Sequence, residues 1–259
     1  MPDTSDLFAA ALADRYRVER ELDALYGGGD SVSGGQAARE LARAAERPAS
    51  GRSEARAVAN TDLCAATLWR LSRGELGGAP QAIERLRRRG PGDSPESLTS
   101  NTVCAALLEA KLAAASGSAG AAAALDRLDA LIRSGPGGQR NGPPVSFTLS
   151  PAYVRSTVGI SPVGFEDFVN LEVAHLRERQ GDRRAALEAV RRRPYTYHLT
   201  DYLALHLREE GRLSALTGDR SGAVRAYQHY LALRSDPEPA LRPGVEAVRA
   251  ELAKVAGNP

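Results

Sequence analysis

The chain is poor in the residues that mark most chemistries. It has two cysteines, Cys64 and Cys104, in 259 residues. That is too few for a disulfide scaffold or a zinc site, and in Ala-rich helices they are expected as buried free thiols. Neither has an adjacent base in sequence, so no thiol nucleophile is read. Aromatic residues make up only 5%, an economy that suits close helix packing through Ala and Leu better than a β-sandwich. Lysine is nearly absent, with Lys111 and Lys254 alone. The cations are almost all arginine, which together with the abundant alanine reads as coding bias rather than phosphate binding. No sign of charge dominates, because the net charge is +2, and a strong field toward nucleic acid or a membrane is not expected. No long hydrophobic run occurs either. The most apolar stretch, Ala119 to Ile132, is interrupted by Asp126, Arg127 and Asp129, so nothing reads as a membrane span. Pro2, Asp3 and Asp6 stand where a secretory leader would be basic, and a cytoplasmic, reduced protein is expected.

What is present is a repeat. Gly181-Asp182-(x)3-Ala186-Leu187 recurs 37 residues later as Gly218-Asp219-(x)3-Ala223-Val224. Each copy follows one amphipathic run and begins another, so each reads as the tight turn of a helical hairpin. Such a period predicts an all-α chain, an α-solenoid whose hairpins bury their apolar faces against their neighbours. Binding rather than catalysis is then the expected business of the protein.

The remaining elements follow from periodicity and punctuation. Residues 4–25 predict a helix ended by Gly27-Gly28-Gly29, and a short helix runs from about Gly35 to Arg47, stopped by Pro48. Ser53 to Arg73 and a partner opened by Pro80 and running to Arg89 form the first hairpin. Gly90 to Pro95 is a loop. Asn101–Ala115 and Ala121–Arg133 form the second hairpin. Asn60-Thr61 before Cys64 is echoed by Asn101-Thr102 before Cys104, which puts the two cysteines at matching repeat positions and within reach of each other. Residues 134–164, rich in Gly, Pro and Ser, predict a loop insertion, exposed or pinned by Phe147, Tyr153 and Val154. Phe165–Arg193 and Leu199–Leu233 make the third and fourth hairpins, and Pro243–Val255 a solvent-exposed capping helix. The organisation is an N-terminal helical segment over 1–50 and a repeat domain over 51–256.

The fourth hairpin is similar to a tetratricopeptide repeat: small Gly211 within its first helix, Ala223 where the second helix packs on the first, and Tyr227 one turn on. The third matches through Ala174, Ala186 and Val190, and the two earlier hairpins through Ala82-Ile83 and Ala124-Leu125. The resemblance spans residues 55–256 and is strongest in the last quarter. A second resemblance lies at the other end, where Leu7 to Leu22, with Leu12-Ala13-x-Arg15-Tyr16-x-Val18 and Leu22, looks like the opening of bacterial serine/threonine protein kinases. Several of these carry a tetratricopeptide-like C-terminal region. The catalytic core of that family is missing. The chain has no G-x-G-x-x-G, no H-R-D, no D-F-G and no lysine before Lys111, so the groups that grip phosphates and magnesium are absent. With no sheet to join, residues 16–22 are expected to be helical.

Candidate sites follow. His175, His198, His206 and His229 show no i,i+4 pair and no completing ligand set, so no metal and no cofactor is expected. Arg87-Arg88-Arg89 and Arg191-Arg192-Arg193 end second helices, where cations suit the helix C-terminus, and Tyr195 and Tyr197 beside the second run raise the alternative of an anionic docking patch. The resemblance implies that one face of the first helices lines a concave groove for a partner peptide or helix. That face offers Phe168, Leu171, His175 and Arg179 from the third hairpin and Leu205, Arg208 and Arg212 from the fourth. Its arginines suit a peptide carboxylate, or they pair instead with Glu172, Glu178 and Glu209. The expected function is a non-catalytic interaction module in signalling. The alternatives are a regulatory domain of transcriptional-activator type acting through a partner, and a degenerate kinase fragment.

Overall fold

The computed structural model describes residues 17, 21, 24–25, 31–46, 53–90, 95–134, 165–192, 199–237, 239 and 241–257. Among these the chain is all-helical, with no strand. The helices are α1 (Ser31–Ala45), α2 (Ser53–Ser72), α3 (Ala79–Arg87), α4 (Pro95–Ala115), α5 (Ala121–Ser134), α6 (Phe165–Arg179), α7 (Arg183–Arg191), α8 (Leu199–Leu216), α9 (Arg220–Leu233) and α10 (Arg242–Gly257). None is long and apolar enough to cross a membrane. Arg17, Glu21, Ala24 and Leu25 are helical as well. Glu21 is fully buried, and burial pushes its carboxyl well up from the ordinary range. The rest of the kinase-like stretch, Gly27–Gly29, and residues 135–164 with Phe147, Tyr153 and Val154 lie outside the described residues, as do Arg193, Tyr195, Tyr197 and His198.

Four hairpins, α2–α3, α4–α5, α6–α7 and α8–α9, share one turn chemistry. Each first helix ends on a glycine in the left-handed region: Gly74 at φ 80°, Gly117 at 65°, Gly181 at 85° and Gly218 at 81°. Around each, two backbone bonds close the helix end in the same way. Gly181 N donates to Glu178 O at 2.8 Å and Asp182 N to Arg177 O at 3.0 Å, while Gly74 N donates to Leu71 O at 3.1 Å and Glu75 N to Arg70 O at 2.9 Å. This pairing satisfies carbonyls that a helix end leaves open, and the positive φ is why glycine stands there. Asp182 and Asp219 then cap the next helices, their carboxylates accepting from Ala185 N and Gly222 N at 2.9 Å each. In α3 and α5 the capping position falls to Gly78 and Gly120, whose carbonyls accept from Ala82 N and Ala124 N. The same alanine position recurs in all four second helices as Ala82, Ala124, Ala186 and Ala223, each at most 5% exposed. A small side chain at this point lets the second helix lie close on the first.

The hairpins contact one another in chain order: α2 touches α4, α4 touches α6 and α6 touches α8, while α3, α5 and α7 each touch the first helix of the following hairpin. One continuous core results, running from Leu41 on α1 to Leu213 on α8. A second cluster joins α8, α9 and α10 through Leu207, Tyr227, Tyr230, Val245 and Val248. Gly211 explains that joint. A Cβ there would stand 2.3 Å from the Tyr227 ring, so the glycine makes room for the aromatic of its own hairpin. The ring continues outward, and Tyr227 Oη donates to Glu251 of α10.

Several boundaries differ from the expectation. α1 starts at Ser31 and carries Gly34 and Gly35 inside it, because glycine there lets Ala24 and Trp69 approach: a Cβ on Gly34 would meet Ala24 Cβ at 2.3 Å and the Trp69 ring at 3.0 Å. α4 begins at Pro95 rather than Asn101, since proline is tolerated in a first turn. The cysteines also depart from the expectation of free thiols. Cys64 of α2 and Cys104 of α4 form a disulfide with Cα atoms 6.2 Å apart, buried at the contact of the two first helices.

Candidate functional site

The C-terminal halves of the first helices α2, α4 and α6 meet at a cleft of about 350 Å³. Its floor is a buried ion pair. Lys111 Nζ of α4 lies 2.7 Å from Glu172 Oε2 of α6 and donates to Ser72 Oγ of α2 at 2.9 Å. The two charged side chains are 7% and 3% exposed. An ammonium and a carboxylate so far from water persist only because each answers the other.

One wall is a second, wetter network between α6 and α8. His175 Nε2 lies 3.1 Å from Glu209 Oε1, and Arg212 Nε donates to Glu209 Oε2 at 2.7 Å. The other end of the guanidinium grips Glu178 with bonds of 2.9 and 2.5 Å. Burial by itself would raise the Glu209 carboxyl. The hydrogen bonds from His175 and Arg212 overcome it and hold the group at about 2. The Arg212 bond lowers Glu178 likewise, and Glu178 in turn keeps Arg212 more firmly protonated. Leu25 of the N-terminal segment and Arg179 complete the mouth. Arg179 is exposed and, among the described residues, has no carboxylate partner.

The expected groove residues therefore divide along the helix. Leu171 and Leu205 are 1% and 4% exposed and belong to the core, so they do not line an open face. His175 is 30% exposed, and Arg179 is exposed. Arg212 sits in the wall, and both it and His175 are held by Glu209. Arg208 is half-buried and engaged with neighbours. The Phe168 side chain lies outside the described residues. Two residues at the centre of the cleft, Lys111 and Ser72, were not singled out for it. The signal for Lys111 was there: one of two lysines in an arginine-rich chain has a reason to be a compact ammonium.

Ser72 Oγ beside Lys111 Nζ has the outline of a nucleophile and base. Lys111 Nζ is at the same time held by Glu172, 2.7 Å away. Among the described residues no group of three His, Cys, Asp or Glu side chains is arranged to hold a metal ion. No family model matches this chain, nor does any curated protein or solved structure.

Proposed function

We propose that the chain is a tetratricopeptide-like α-solenoid that acts as a non-catalytic interaction module in signalling, docking a partner peptide across the face of its first helices. The observation that carries this reading is the state of charge in the cleft. Lys111, His175 and Arg212 are committed to Glu172, Glu178 and Glu209, while Arg179 at the mouth has no carboxylate partner among the described residues. A prepaired floor costs a ligand no desolvation of unmatched charge, and one open guanidinium favours a ligand that brings a carboxylate. An extended peptide ending in, or bearing, a carboxylate meets both conditions.

The test is a peptide library presented with free and with amidated C-termini. Carboxylate-bearing peptides should be retained by the parent and released by Arg179→Glu, with Lys111 and Glu172 untouched. Equal retention by Arg179→Glu, or no saturable binding of any peptide, refutes the reading.

A further inference from the structure

A second groove, sharing no residue with the cleft, runs between α1 and α2 and measures about 630 Å³. Small residues at helical spacing on α1, Gly35, Ala38 and Ala42, form one side of its floor, and Ala66 and Trp69 of α2 form the other. Val32 extends the apolar surface at one end and is 74% exposed. The rim is basic: Arg39 stands on α1, and Arg70 and Arg73 on and after the last turn of α2, against the single carboxylate of Glu75. Glu75 is taken by Arg70, at 3.4 Å. Arg73 lies over the Trp69 ring, 5.8 Å from its centroid, an orientation that an aromatic face supports. Among the described residues neither Arg39 nor Arg73 has a carboxylate partner.

We propose that this groove docks an acidic amphipathic helix of a partner protein. The helix would lay apolar side chains on the alanine and Trp69 floor and place carboxylates on Arg39 and Arg73. A trough walled by two helices, with an apolar floor and charge at its edges, fits the helix-in-groove mode. A surplus of two guanidinium groups sets the sign of the partner's flanks. A nucleic-acid backbone would leave the apolar floor unused, and the chain as a whole carries only +2. The inference stands apart from the peptide-docking reading, since either surface can fail alone.

Trp69 is the only tryptophan, so its fluorescence reports the floor of this groove directly. The probe is a synthetic helical peptide of about 16 residues with leucines on one face and flanking glutamates. Its control carries lysine at each glutamate. The acidic peptide should give a saturable blue shift, weakened at least about tenfold in Arg39→Glu/Arg73→Glu. Gly35→Leu should abolish it by filling the trough, and its Cβ would sit at an ordinary 3.5 Å from the Trp69 ring. Thermal melts establish that both variants are folded. An equal shift with the lysine control, undiminished binding by the charge-reversed variant, or no saturable shift overturns the proposal. So does a Trp69 shift caused by phosphatidylserine vesicles but not by the peptide.

Discussion

Replacing Lys111 with methionine should cost far more than replacing Lys111 and Glu172 together. The ammonium sits 2.7 Å from the carboxylate, and both side chains are less than a tenth exposed. Truncating one partner leaves the other charge buried without an answer, at a cost of about 3–5 kcal/mol. The Glu172→Leu/Lys111→Met double variant removes both charges and fills the space with apolar atoms. Replacements of this kind are commonly neutral or stabilising, by about 1–4 kcal/mol. Ser72 loses one hydrogen bond in either case but stands at the surface, where water replaces it. For a chain of this length about 1 kcal/mol moves the melting temperature by roughly 2–4 °C. The single variant should therefore melt roughly 6–20 °C lower, with the double close to the parent. Circular dichroism melts at 222 nm on the four proteins of the cycle, with urea unfolding as a second probe, measure this coupling. A single variant within about 0.5 kcal/mol of the parent would mean that water reaches the pair and the buried floor is wrong. A double variant worse than both singles would mean that the pair holds α4 and α6 in register rather than merely neutralising itself.

Three further outcomes follow from the geometry. Glu209→Gln should destabilise near neutral pH. The native carboxyl is held at about 2 against about 4.3 in an unfolded chain, so its contribution is complete above the unfolded value and is lost as pH falls toward 2. The difference from the parent must shrink through that acid window, and a pH-independent difference would contradict the His175–Glu209–Arg212 network. Asp182→Ala removes the cap on Ala185 N and should cost about 1 kcal/mol by urea titration, whereas Asp182→Asn should restore most of it. Reduction of the Cys64–Cys104 bond, which closes a loop of 40 residues, should lower stability by about 4 kcal/mol on the chain-entropy model. A melting temperature unchanged in reductant, with two thiols titrated, would refute that contribution.

The hairpins at Gly181-Asp182 and Gly218-Asp219 were legible because glycine closes one helix and the very next residue caps the following one. The earlier turns use the same glycine, at Gly74 and Gly117, but Gly78 and Gly120, which precede the next helices, have no side chain to cap them. Without an aspartate beside the glycine the shared turn is invisible in the letters. The matched Asn-Thr segments correctly brought Cys64 and Cys104 to adjacent positions, yet not the bond between them. The face expected to line a groove is buried in part and open in part. Leu171, His175 and Arg179 share one side of α6, but the stripe leaves the core only along its C-terminal half.

Sequence by itself determined the all-helical class and the turns and caps at Gly181-Asp182 and Gly218-Asp219, because these rest on 3.6-residue periodicity, positive φ and side chains bonding to backbone three residues away. Only the tertiary structure decided which charges are spent and which remain open. Lys111 meets Glu172 across 61 residues of chain, and Arg212 meets Glu178 across 34. Nothing local distinguishes those side chains from Arg179 or Arg39, because an ion pair is a property of where two helices pack and not of either helix.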